Sequence, residues 1–234
     1  MDIEADIDTQ AVYPNALTLP GRAAFPVLVM PAELKRRSLH TREGHATLIH
    51  ALAHIEANAI NLALDIIWRF PGMPYEFYRD WLGVAKEEAC HHELLAQHLE
   101  SLGYRYGDFP AHNGLWEMAE RTSGDLLARL ALVPRTLEAR GLDVSPGLRD
   151  KLRKLGDARG AEILDLILRD EIGHVATGNH WYRYLCAQRQ LDPIGAYAEL
   201  AERYWAPRLR GPFNLVARRA AGFDEAELAA LQLE

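Results

Sequence analysis

Residues 164–185 read LDLILRDEIGHVATGNHWYRYL. Apolar residues recur there with the period of a helix, and Glu171 and His174 fall on the same stripe, beside Ile167, Leu168 and Val175. An unpaired carboxylate on a buried stripe costs several kcal/mol. Either the stripe is solvated at that point, or the pair has partners elsewhere in the chain.

The rest of the sequence supplies candidates. From Thr41, which can cap a helix, apolar residues recur at Leu48, Leu52, Ile55, Ala59, Leu62 and Ile66 until Pro71-Gly72 stops the pattern. A second long helix is expected from about Tyr75 to Leu102, closed by Gly103. A third is expected from roughly Leu115 to Arg140, kinked at Pro134, after which Gly141, Pro146 and Gly147 break the chain. The basic piece LRDKLRKLG leads into a fourth long helix from about Ala158 to Gln190, and Asp192-Pro193 opens another to about Tyr204 before a short final one in FDEAELAALQL. Strand-like alternation is nearly absent, so the fold class is all-α. Residues 1–40, with prolines at 14, 20, 26 and 31, read as an extended arm lying on the body; 41–190 carry the long helices, and 191–234 form a helical extension of the same domain.

Six residues stand out on the four long helices: Glu56, then Glu88 and His91, then Glu138, then Glu171 and His174. Both Glu-x-x-His pairs, EACH and EIGH, place their side chains about 60° apart and one turn along, so each pair can reach one ion. Glu56 precedes Glu88 by 32 residues and Glu138 precedes Glu171 by 33. Two helix pairs, each giving one Glu and then Glu-x-x-His, would bring four carboxylates and two imidazoles into one core, and four carboxylates neutralise two divalent cations. Glu138 is ambiguous, because it lies just before Gly141, where a carboxylate at a helix C-terminus is disfavoured and can simply be solvated.

Other features carry bland readings beside sharp ones. His92, one residue past His91, competes with it as a ligand, although the i+3 spacing favours His91. His50, His54, Asn58, Asn61 and Asp65 form a polar stripe rotated away from Glu56, expected to be solvated or to face another subunit. Trp181, Tyr182 and Tyr184 read as packing aromatics before electron carriers; Gly173 and Gly178 leave room either for a substrate or for close helix contact.

The 234 residues are 49% hydrophobic and 25% charged, with a formal net charge of −7, which is ordinary globular composition and not that of a general nucleic-acid binder. A local basic patch from Arg203, Arg208, Arg210, Arg218 and Arg219 stays open. Two cysteines, without CxxC, exclude a disulfide framework or a zinc ribbon. The acidic N-terminus lacks a signal pattern and no segment reads as membrane-spanning, so a soluble cytoplasmic protein is expected.

The segments HIEANAINLALD, EEACHHELL, PRTLEARGLD and DEIGHV together resemble the ferritin-like superfamily over roughly residues 40–190, in particular an uncharacterised bacterial branch of it. By motif order the chain is similar to tRNA-modifying di-iron hydroxylases, and more distantly to multicomponent monooxygenases and ribonucleotide reductase small subunits. The resemblance implies a ferritin-like four-helix bundle holding two iron ions, with manganese or a mixed pair as variants, on Glu56, Glu88, His91, Glu138, Glu171 and His174. It also implies that Glu87 and Asp170, each just before a Glu-x-x-His, accept a hydrogen bond from the opposite histidine. The function expected is a non-haem di-iron oxidoreductase that activates O2 to oxidise or hydroxylate a small-molecule or nucleoside-type substrate, with an electron-donor protein and a homodimer as expected partners. The alternative is a metal-binding or ferroxidase-type protein without organic substrate.

Overall fold

The computed structural model describes residues 7–13, 19–35 and 37–231; of the four prolines on which the arm reading rests, the one at position 14 lies outside them. Among the described residues the architecture is helical, with one isolated bridge between Leu28 and Ala111 as its strand-like pairing. Helix α1 spans Arg42–Arg69 and begins where Thr41 Oγ1 accepts a hydrogen bond from the Gly44 amide at 3.0 Å. Helix α2 spans Tyr75–Ser101 and ends at Gly103, whose φ of +83° suits glycine.

The third expected helix is the main correction. It is divided into α3, Gly114–Arg121, and α4, Leu126–Leu132, because Asp125 starts a new helix by accepting hydrogen bonds from the amides of Leu127 and Ala128. A π-helical turn, Val133–Glu138, then holds Pro134, and its wider winding absorbs the missing proline donor in place of a simple kink. Within it Thr136 Oγ1 donates to the Ala131 carbonyl at 2.8 Å.

Nor do Gly141, Pro146 and Gly147 break the chain: α5 runs through them from Ala139 to Lys154. A proline at 146 leaves the carbonyl of Leu142 without its helical donor, and Asn214 Nδ2 donates to that carbonyl at 3.1 Å from 72 residues away. Helix α6, Ala158–Gln188, is capped by Asp157, and α7, Pro193–Arg203, by Asp192. The short α8, Leu215–Ala220, and α9, Glu225–Leu231, follow.

Helices α1 and α2 pair along their length, α5 pairs with α6, and α2 packs against α6. The buried apolar residues fall into two large clusters. One joins Leu62, Ile66, Trp81, Val84, Leu130 and Trp181; the other joins Leu52, Leu95, Leu99, Leu152, Leu164 and Ile167. Between them, on each long helix, lies the segment bearing the candidate ligands. A third cluster seats α8 and the segment around Phe223 on α5 and α6 through Ala139, Leu142, Val175 and Ala221.

The arm is tied to this body. The Thr9 carbonyl accepts from the Gly72 amide at 2.7 Å, Val29 and Ala111 are joined by a backbone hydrogen bond of 2.8 Å, and Arg22 Nη2 donates to Asn58 Oδ1 at 2.9 Å. Among the described residues no helix is long and apolar enough to cross a membrane.

Candidate metal centre

Glu56 leaves α1 between Ala53, in one apolar cluster, and Leu62, in the other; Glu88 and His91 leave α2 between Ala85 and Leu95 in the same way. Glu171 and His174 do so on α6. These five residues are buried, with exposures between 0 and 8%. One ligand atom each from Glu56, Glu88, His91 and Glu171 lies within 4.8 Å of all the others.

The two histidines are arranged alike. His91 Nδ1 faces Glu56 Oε2 at 3.4 Å and Glu88 Oε2 at 3.5 Å, while its Nε2 lies 3.1 Å from Asp170 Oδ2. His174 Nδ1 faces Glu88 Oε1 at 2.9 Å and Glu171 Oε1 at 3.5 Å, while its Nε2 lies 2.7 Å from Glu87 Oε2. Glu88 thus stands between the two rings, one oxygen toward each. Each imidazole is held from outside by the acidic residue that precedes the opposite helix's Glu-x-x-His.

Glu138 does not join the tight group, but its Oε2 is buried without a hydrogen-bond partner, and it senses Glu171, Glu88, His174 and Glu56 electrostatically. The solvated alternative for Glu138 fails because the helix continues to Lys154, so the residue is in mid-helix and not at a C-terminus.

The electrostatics are those of a site crowded with carboxylates. Burial is the largest influence on Glu56 and pushes its carboxyl up to about 8, helped by the charge of Glu88 and opposed by His91. Burial likewise raises Glu138 well above the usual carboxylate range, reinforced by Glu171 and Glu88. Burial works against the charged form of His91 and His174, yet their facing carboxylates outweigh it and hold them at about 10 and about 12. Geometry leaves demand unmet: Glu56 Oε2, Glu88 Oε2, His91 Nδ1, Glu138 Oε2 and His174 Nδ1 are all buried with no properly directed hydrogen bond. Buried polar atoms are almost always paired, so these orphans, on and beside a compact carboxylate–imidazole group, fit a site that could hold a metal ion.

The remaining candidates sort themselves. His92 turns away, its Nδ1 donating to the Ala53 carbonyl at 2.9 Å. The polar stripe on α1, expected to be solvated or to face another subunit, is largely buried within the chain: the connector between α2 and α3 and the arm cover His50, His54 and Asn58, and Asp65 is buried against α4. The Gly107 amide donates to His50 Nε2, Tyr106 Oη lies 2.9 Å from His54 Nδ1, and Asp65 pairs with Arg129 at 2.6 Å and with Arg69. Ile55, expected in the apolar stripe, is exposed.

Gly178 serves close packing, since a Cβ there would meet Pro134 Cβ at 2.6 Å; Gly173 opens onto solvent. The aromatics pack, with Trp181 Nε1 donating to Asp80 and Tyr182 Oη to the Pro193 carbonyl. Of the late arginines, Arg218 is buried against Asp143 and Arg219 pairs with Glu225, which removes two charges from the supposed basic patch.

Sequence reasoning missed a second group, His45, His98 and Asp157. Asp157 Oδ2 takes up both rings, at 2.7 Å and 2.8 Å, while its Oδ1 caps α6 at the Gly160 amide. All three are satisfied, and they tie α1, α2 and α6 together. Histidines from two helices 53 residues apart give no local pattern that could have revealed it.

Fold and site define a class: an all-helical protein with a buried carboxylate–imidazole cluster of metal-ligand composition. Within that class the chain belongs to the family described as "Protein of unknown function (DUF455)", which matches residues 2–229. It is similar to an "Uncharacterized protein" of Haemophilus influenzae, 49% identical over 226 residues that cover 92% of this chain and 78% of that one. No solved structure matches it.

Proposed function

We propose that the chain is a ferritin-like di-iron oxidoreductase that uses O2 to oxidise or hydroxylate an organic substrate, with reducing equivalents from a donor protein. What carries the reading is the convergence of four buried, unpartnered ligand atoms from three helices, with Glu138 beside them electrostatically and both imidazoles oriented by acidic residues on their outer side. When bound, two iron ions would supply the redox chemistry toward O2. Glu56, Glu88, His91, Glu138, Glu171 and His174 are the residues that would hold them.

The protein's own part is orientation and exclusion. Asp170 and Glu87 accept from the outer Nε2 of His91 and His174, which turns each Nδ1 inward and fixes the tautomer needed for ligation. The apolar clusters above and below keep bulk water away. Without metal, the site answers its crowding with a raised proton affinity at Glu56, Glu138 and both histidines; cations would displace those protons.

The test is to purify the chain, quantify bound metal, and follow O2 uptake by the reduced iron form. About two metals per chain and O2 consumption are expected; a chain that retains no metal from iron- or manganese-supplemented growth removes the premise. The closure of the cluster, with Glu88 and both histidines at most 1% exposed, favours a second reading, a ferroxidase-type protein without organic substrate. Iron oxidation accompanied by a multi-subunit shell in light scattering would select it.

A further inference from the structure

Two imidazoles and a carboxylate meet a second time, outside the buried cluster. His45 stands in the first turn of α1, His98 in the last turn of α2, and Asp157 caps α6. His45 precedes Glu56 by 11 residues, about 16 Å of helix, and His98 follows His91 by 7, about 10 Å. One ligand atom from each of the three lies within 4.8 Å of the other two. Both rings aim Nε2 at a single oxygen, Asp157 Oδ2, at 2.7 Å and 2.8 Å.

Every polar atom here has a neighbour, but the protons do not fall where hydrogen bonds need them. On the far side of His98, Ser101 Oγ lies 3.4 Å from Nδ1 and donates its own proton to the His98 carbonyl at 2.6 Å. Ser101 therefore offers Nδ1 only lone pairs, and a neutral His98 keeps its proton on Nδ1. Its Nε2 lone pair then faces a carboxylate oxygen at 2.8 Å, which is repulsive unless a cation lies between them. A proton would bridge one ring to Oδ2; a metal ion takes the lone pairs of both rings and the oxygen together.

The carboxylate is prepared in the same sense. Its Oδ1 is occupied by the Gly160 amide at 2.7 Å, so only Oδ2 is presented to the rings. Glycine at 160, a residue that weakens a helix, makes the room, because a Cβ there would collide with Asp157 Oδ2. A ring held from its outer nitrogen and an anchored carboxylate are the supports that metal ligands carry.

We propose that His45 Nε2, His98 Nε2 and Asp157 Oδ2 bind one Zn2+, with water in the fourth position beside His45, the most exposed of the three. Two imidazoles, one carboxylate and a water make a tetrahedral set that zinc accepts. Ligands about 2.0–2.2 Å from such an ion stand about 3.3 Å from one another, so loading moves each ring roughly 0.5 Å away from Asp157. The ion would clamp the three helices that carry Glu56, Glu88, His91, Glu171 and His174. The site rests on its own three residues and is independent of whether the cluster holds iron.

Competition of the full chain against a chromophoric zinc chelator tests this. One Zn2+ per chain should be lost on going from the parent to His45→Gln. Glu88→Gln removes the carboxylate between the cluster's imidazoles; adding His45→Gln to that variant should again cost one Zn2+, which separates this site from the cluster. Circular dichroism checks that each variant is folded. A measurement on the parent needs no variant: in crystals grown with stoichiometric Zn2+, anomalous scattering at the zinc edge should place an ion bonded to all three side chains. Equal zinc uptake with and without His45 in folded protein, or crystals with no zinc between the three side chains, would each overturn the proposal.

Discussion

Replacing Glu138 with methionine should stabilise the metal-free protein and cripple the metal-loaded one. Glu138 has a buried Oε2 without a hydrogen-bond partner, and burial raises the proton affinity of its carboxyl well above the usual range, so its charged form is disfavoured there. An unsatisfied buried polar group costs about 1–3 kcal/mol, and methionine matches the length and flexibility of glutamate while removing that demand. For a chain of this size roughly 2–4 °C of Tm accompanies each kcal/mol, so metal-free Glu138→Met should melt about 2–12 °C above the parent. Metal at about a hundredfold over its Kd would stabilise the parent by about 2.7 kcal/mol, and the variant should lose most of that shift. Differential scanning calorimetry, with and without anaerobic Fe(II) or Mn(II), reads both effects. A metal-free variant that melts lower would mean that the carboxyl makes a structural contribution. A variant that keeps the full metal shift would remove Glu138 from the ligand set.

Other perturbations separate orientation, packing and charge. Asp170→Asn takes the carboxylate from His91 Nε2 and should weaken metal binding about 10–100-fold at unchanged stoichiometry, measured by competition with a chelator; unchanged affinity would leave Asp170 as a surface charge. Gly178→Ala drives a Cβ to 2.6 Å from Pro134 and should cost about 1–3 kcal/mol in urea denaturation, whereas Gly173→Ala, with nothing within 4 Å, should stabilise by about 0.5–1 kcal/mol. Burial lowers His50 and His54 to about 4, so the unfolded chain takes up their protons first as pH falls below about 6.5. Their contribution is therefore complete at neutral pH and lost on acidification toward 4. His54→Gln should flatten the stability slope between pH 6.5 and 4.5 by up to about 1.4 kcal/mol per pH unit, and an unaltered slope would refute the burial argument.

What the sequence made legible was whatever repeats locally. Glu88 with His91 and Glu171 with His174 are i, i+3 pairs, and their apolar neighbours within one turn are enough to place them inward, as the structure does. The division of the third helical region was less visible, because an N-cap at Asp125 and a π turn at Pro134 both compete with a single kinked helix. Gly141-Pro146-Gly147 reads as a break by every local rule. It is not one because Asn214, far along the chain, donates to the carbonyl that Pro146 leaves free. The polar stripe of His50, His54 and Asn58 misled for a similar reason: helical periodicity shows which face a residue takes, but not that a connector and an arm will later cover that face.

The same distinction explains why the cluster sits where it does. An uninterrupted apolar core through α1, α2, α5 and α6 would be more stable than one divided by four carboxylates and two imidazoles, since burying ionisable groups rarely repays its desolvation. The chain keeps the division and surrounds it with supports that do not touch it. Two apolar clusters clamp the helices above and below the polar layer, and the His45–Asp157–His98 tie fixes three helices at one end. At the layer itself Pro134 packs into the notch left by Gly178, which fixes the π turn bearing Glu138 against α6. These supports lie on both sides of the layer, so local rigidity does not depend on the cluster's own unfavourable contacts. If the layer existed only for packing, hydrophobic replacements within it would improve stability at no loss, and the opposed effects expected for Glu138→Met with and without metal decide between those two accounts.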